Sequence, residues 1–379
     1  MKAHHKFFAV VLVGLIAAVG VIAQTEGGGR VAGSGGADST FKPKVRAVAK
    51  HTVPKRTTRA GKTAAQYEAE ANKFYDDKDY DSALVAYQSA VNIRPSANSL
   101  YRIGWIQNDF GEFDKALVAL ERATAIDPAY ASAFLEKGYA LRRLKRVSEA
   151  AVALKKCIQL NPQSSIGHYE LGVLYFDQGQ FENSVSMLQK ATSIRPDYQD
   201  AYEELGIALR RAGRNDEAID ALNRAIELDP EAGNAYMGLG DVYYYGTKDY
   251  SKAIDAYIKG LEYDKDNHVA AFNIGWSYND LGNFDDAITY LDEATRLKPD
   301  YLSALNELGY ANMKLKRYPA ATAALRRSIE IDQKNGIAHY YLGQVHLATN
   351  NRGAALAEYR QLQTLGSDYA PKLYKMINP

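Results

Sequence analysis

The sequence predicts an all-α fold built as an array of antiparallel helix pairs stacked one on the next. Three observations carry that prediction. Eight glycines (Gly104, Gly138, Gly172, Gly206, Gly240, Gly275, Gly309 and Gly343) recur with a period of about 34 residues, one interval being longer by a single position before Gly275. Small residues keep the same beat: Ala116, Ala150, Ser184 and Ala218 follow their glycines at one fixed distance, and Ala123, Cys157, Ala191 and Ala225 at a second. Prolines end the period at Pro95, Pro128, Pro162, Pro196, Pro230 and Pro299. Glycine inside a helix costs about 1 kcal/mol against alanine. A chain that accepts this at every turn of the beat needs the space a side chain would take.

Taken in order, the chain opens with a basic stretch, residues 1–6, and an apolar run, residues 7–23. With small residues before Gln24, this reads as a secretory signal peptide. The apolar run is near the short limit of a membrane span, so an uncleaved anchor is the alternative. The expected location is exported: periplasmic, secreted or attached to the cell envelope. Residues 24–63 are glycine-rich and then basic, without helical or strand periodicity, and read as a disordered linker. Membrane association through residues 1–62 is an open possibility, since the linker's lysines and arginines suit an anionic surface.

Nine units follow over residues 64–366, starting near Ala64, Ala97, Ala131, Ser165, Gln199, Gly233, His268, Leu302 and Gly336. Residues 134–144 and 147–160 show the pattern within a unit: apolar residues three and four apart make two amphipathic helices. Ala71 stands in the glycine slot of the first unit, and the sixth holds one extra residue, expected in a Gly246-Thr247-Lys248 loop. Residues 367–379 read as a lone helix capping the exposed end.

The glycine, alanine and proline beat resembles the tetratricopeptide repeat family. The resemblance implies a right-handed superhelical solenoid whose concave groove is lined by the first helix of each pair. It also implies a partner-binding groove at Tyr101, Trp105, Asn108, Tyr139, Arg142, Tyr169, Arg210, Tyr244, Phe272, Trp276, Asn279, Tyr310 and Tyr340. Tyr, Trp and Arg supply much of the energy of protein interfaces. The family's chaperone-tail binders clamp a terminal carboxylate with Lys, Asn and Arg. Here Asn72 fits, but Arg102, Ser132 and Glu136 stand where the later clamp residues belong, so no such clamp is expected.

Charge and motifs narrow the function. The net charge is +1, but residues 1–23 carry +2 and residues 24–63 carry +7, so by difference the repeats carry −8. An acidic array argues against nucleic acid as ligand. The single cysteine, Cys157, excludes an internal disulfide and sits at a packing position. Residues 60–63 imitate the end of a phosphate-binding loop, but Arg56 replaces the first glycine. His168 and His339 hold one slot in different units, and no ligand set surrounds His339 and His346. No enzyme, metal or cofactor is therefore expected.

A longer period overlies the first. Residues 100–128 and 271–299 are identical at 13 of 29 positions, including Gly104-Trp105-x-x-Asn108-Asp109 and Gly275-Trp276-x-x-Asn279-Asp280. Units two to four and seven to nine read as copies of one block. The expectation is a non-enzymatic scaffold of the cell envelope or exterior that binds protein or peptide segments in the groove. The alternative is a membrane-tethered accessory subunit of an envelope assembly machine.

Overall fold

A computed structural model describes residues 61–379, so the expected signal peptide and all but the last three linker residues lie outside the described residues. Among the described residues there are 19 α-helices, one π-helical turn and no strand. None of these helices is long and apolar enough to cross a membrane. They gather into two compact units divided between Leu228 and Asp229.

The first unit pairs α1 (Ala64–Asp76) with α2 (Tyr80–Ile93), α3 (Ala97–Asp109) with α4 (Phe113–Ile126), and α5 (Ala131–Arg143) with α6 (Val147–Leu160). It ends with α7 (Ser165–Asp177) against α8 (Phe181–Ile194) and α9 (Gln199–Arg211) against α10 (Asn215–Leu228). In the second unit α11 (Gly233–Asp241) precedes α12 (Tyr250–Tyr263), α13 (His268–Leu281) precedes α14 (Phe284–Leu297), and α15 (Leu302–Lys314) precedes α16 (Tyr318–Ile331). Then come α17 (Gly336–Ala348), α18 (Arg352–Thr364) and a last helix, α19 (Ala370–Ile377).

Steric necessity explains the glycine beat. A Cβ on Gly104 would lie 2.4 Å from Leu120 of α4, and one on Gly138, Gly172 or Gly206 would meet Leu154, Leu188 or Leu222 at 2.5, 2.7 or 2.4 Å. In the second unit Gly240 faces Tyr257, Gly275 faces Leu291 and Gly309 faces Leu325, at 2.5, 2.6 and 2.5 Å. Gly343 differs: its close neighbour is Leu373 of α19, at 2.5 Å. Leu373 and Ile377 are buried there with Ala355 and Leu362, so α19 closes the core of the last pair.

Helix ends follow from local chemistry. Thr63 and Gln66 make a reciprocal capping box at α1, and Ser96, Ser164, Asn267 and Asn335 accept backbone N–H groups at the starts of α3, α7, α13 and α17. Each first helix stops at a left-handed residue two positions before its second helix. Gly111, Gly179, Gly213 and Gly282 do this freely, whereas Lys78, Lys145, Lys248, Lys316 and Asn350 adopt the same conformation with side chains.

The extra residue of the sixth repeat is not spent in a loop. It is absorbed as a π-helical turn, Val242–Thr247, that prolongs α11 up to the left-handed Lys248. Cys157 is buried beside Ser164, and burial pushes its thiol up, away from the reactive thiolate.

Candidate partner-binding face

The thirteen expected groove residues all lie on first helices or, for Tyr244, on the π turn. The structure sorts them by what they touch. Asn108 and Asn279 are buried and reach along the stack to the next first helix. Asn108 Nδ2 donates to the Glu136 carboxylate at 2.8 Å and to its backbone oxygen at 3.1 Å. Asn279 repeats this on Glu307, at 2.9 and 3.3 Å. Arg142, one unit after Asn108 in the same slot, donates to Glu170 at 2.9 Å, and the two side chains are only 8% and 9% exposed. In each pair a residue four after one glycine meets a glutamate two before the next.

Burial has a cost that these carboxyls show. It pushes Glu136 and Glu307 each up to about 7, against the pull of the asparagine hydrogen bond. Glu170 and Asp109 add to the rise at Glu136, and Asp280 does so at Glu307. The Oδ1 atoms of both asparagines are buried with no hydrogen-bond partner among the described residues.

The aromatic residues form clusters between successive helices. Trp105 is half-buried, with the rings of Tyr75 and Tyr80 edge-on at 5.2 and 5.5 Å. Trp276 is also half-buried, with Tyr244 at 4.9 Å, Phe272 at 5.5 Å and Tyr245 at 6.1 Å. Tyr244 and Phe272 are themselves buried, and Tyr244 donates its hydroxyl to Asp280. Tyr101 packs on Tyr130 at 5.0 Å, and buried Tyr169 packs on Tyr198 at 5.1 Å. Tyr139 accepts a hydrogen bond from Arg143 at 2.9 Å, Tyr310 lies between Phe284 and Tyr341, and Tyr340 stacks on Tyr369 of α19 at 4.9 Å. Arg210 is half-buried near the end of α9. The half-buried set is thus Tyr101, Trp105, Tyr139, Arg210, Trp276, Tyr310 and Tyr340, whereas the side chain of Arg142 is buried against Glu170.

Sequence reasoning missed the glutamates. A signal for them exists: Glu136, Glu170, Glu204 and Glu307 all stand two positions before a beat glycine. His339 differs from His168 in the same slot. Its Nδ1 lies 2.6 Å from Glu358, and that bond holds the imidazole pKa above its usual value. Among the described residues His168 makes only a contact from Nε2 to the Pro162 carbonyl, at 3.2 Å.

Paired helices, a close glycine contact in seven of the nine pairs and a polar ladder between pairs define a helical repeat scaffold. The tetratricopeptide repeat model matches residues 101–165, 169–232, 204–267 and 272–336, more than half of the chain. The chain belongs to the tetratricopeptide repeat family, whose repeats bind protein or peptide partners. Heat shock protein STI1 of Saccharomyces cerevisiae is 32% identical over 109 residues, 28% of this chain and 18% of that protein. Small glutamine-rich tetratricopeptide repeat-containing protein 2 of Mycosarcoma maydis is 31% identical over 91 residues, 24% of this chain and 26% of that one. The matched part is therefore about a quarter or less of either relative. The C-terminal part of a repeat protein from Cytophaga hutchinsonii shares the fold, with a TM-score of 0.52 at 17% identity, covering 64% of this chain and 99% of that one.

Proposed function

We propose that this protein is a non-enzymatic scaffold of the cell envelope or exterior that holds partner segments along its first-helix face. The observation that carries the reading is the pair of half-buried tryptophans, Trp105 and Trp276, each presented in the same slot by a collar of packed rings. A rigid aromatic anchor of this kind contributes area at low entropic cost. The partner class differs from chaperone tails. Asn72 accepts the Tyr87 hydroxyl at 2.5 Å, and Glu136 lies under Asn108 where the clamp would need a cation. The test is partner capture from native extract with wild type and with Trp105→Ala plus Trp276→Ala. Loss of the captured partner by a folded double variant is expected, and unchanged capture refutes the groove assignment.

The location rests on the basic and apolar residues 1–23. A processed N-terminus at Gln24 in soluble fractions is expected of an exported scaffold. An intact N-terminus in the membrane fraction supports the second reading, a tethered accessory subunit of an envelope assembly machine.

A further inference from the structure

The two blocks part in charge beside their tryptophans. Arg102, three residues before Trp105, lays its guanidinium over the ring of Tyr75 at 4.3 Å and near that of Tyr101 at 5.8 Å. The counterparts of these two rings are Tyr244 and Phe272, which flank Trp276 at 4.9 and 5.5 Å. The counterpart of Arg102 is Asn273. One collar thus holds a cation of its own helix, and the other has the rings without that cation.

An anion stands beside the second collar. In the slot five residues after the beat glycine, Arg143, Arg211 and Lys314 each lie over an aromatic ring, at 4.8, 4.7 and 5.1 Å. The tryptophan helices reverse the charge there, with Asp109 and Asp280. Asp280 comes one turn after Trp276, so both project from one side of the helix. It is exposed, accepts the Tyr244 hydroxyl and has no ion pair among the described residues. Tyr245, 45% exposed, stands edge-on to the half-buried indole at an interplanar angle of 69°. Two rings set at an angle beside an unpaired carboxylate suit a guanidinium, which stacks on an aromatic face and forks toward a carboxylate in one plane.

We propose that Trp276, Tyr245 and Asp280 take an arginine side chain of the partner segment, which brings to the second block the cation that Arg102 brings to the first. The inference deepens the reading of the first-helix face and rests on it. The guanidinium lies across the open part of the indole and against Tyr245, with its N–H groups toward Asp280. The charge of the whole agrees: the repeats are acidic in sum, and an acidic surface steers a basic segment toward it.

The experiment uses the indole signals of the full chain. The sequence has two tryptophans, so the proton–nitrogen NMR spectrum shows two indole N–H signals, which Trp105→Phe assigns. The probe is the peptide Ac-Ala-Ala-Arg-Ala-Ala-NH2. At millimolar peptide the Trp276 signal should move and the Trp105 signal should stay in place. The citrulline analogue keeps the shape without the charge and should bind at least about fivefold more weakly, and Asp280→Asn should weaken the arginine peptide about threefold. Asn273→Arg gives the second collar the cation of the first and should bar the peptide with the melting curve intact. Equal binding of the arginine and citrulline peptides overturns the proposal, as does movement of both indole signals together or of neither. It also falls if the Trp276 signal of the free chain moves when Arg30, Arg46, Arg56 and Arg59 are changed to glutamine, because the chain's own N-terminal segment then holds the place. If the arginine peptide leaves Trp276 unmoved while Trp105→Ala plus Trp276→Ala still loses the captured partner, the first-helix face stands and the arginine is refuted.

Discussion

Replacing Glu136 and Glu307 together by glutamine is predicted to remove a specific pH dependence of stability. Each carboxyl is raised from 4.5 to about 7 in the folded chain, chiefly by burial. The folded value lies above the unfolded one, so each site's contribution is fully present below about pH 4.5 and is lost as pH rises through about 7. A shift of this size corresponds to about 3 kcal/mol per carboxyl. Glu307 is the more exposed residue of the two, so solvent screening makes its share the smaller. Glutamine keeps an acceptor for the asparagine amide and adds N–H donors at the buried end where Asn108 and Asn279 each leave an Oδ1 without one. The assay is urea unfolding by circular dichroism in steps from about pH 4 to about pH 8. Wild type and variant should differ by less than about 1 kcal/mol at the acid end, and the variant should be more stable by several kcal/mol at the alkaline end. The single substitutions apportion the effect between the two units. If the curves of wild type and double variant run parallel across this range, the buried carboxyls do not carry the proton.

Three other substitutions test the packing. Gly172→Ala places a Cβ 2.7 Å from Leu188 Cγ and should cost about 1–3 kcal/mol in thermal unfolding, although alanine is the better helix former. Lys145→Gly and Lys316→Gly, both at left-handed turns with φ of 60°, should each add about 0.5–1 kcal/mol by the same measurement. Arg142→Met strands Glu170 in a nearly dry contact and should cost about 3–5 kcal/mol, most of it recovered when Glu170→Leu is added; a double-mutant cycle checks this.

The fold was largely legible because its main requirement is steric and repeats. One absent Cβ per pair leaves the same mark in sequence from Gly104 to Gly309, so helix pairing could be read there, whereas Gly343 carries the same mark for its contact with the last helix. Conformation without a special residue left no mark. The left-handed turns at Lys78, Lys145, Lys248 and Lys316 look like ordinary surface lysines. One inserted residue can widen a loop or a helix turn, and composition does not choose between the loop expected at residues 246–248 and the π turn at Val242–Thr247. The face was legible as a set of positions but not as a set of free groups. Whether Asn108 points to a ligand or reaches Glu136 depends on the stagger of successive pairs, which helical periodicity within one pair does not encode.

The internal duplication separates packing from function more sharply than either block alone. Residues following Gly104 and Gly275 stand out in the sequence because helix pairing within a unit gives no reason for them. The structure supplies one for the asparagines: both tie one pair to the next through a glutamate of the following first helix. What the two blocks share is therefore, in good part, what holds a stack together. Function that distinguishes the blocks must reside where they part, and a departure in charge is Arg102 against Asn273. The tryptophans share one slot but not one collar, Tyr75 and Tyr80 in one case and Tyr244, Tyr245 and Phe272 in the other. A partner gripping both must therefore present two different faces, so Trp105→Ala and Trp276→Ala should weaken capture unequally. Equal losses would mean that the collars do not shape recognition and that the indoles alone are read.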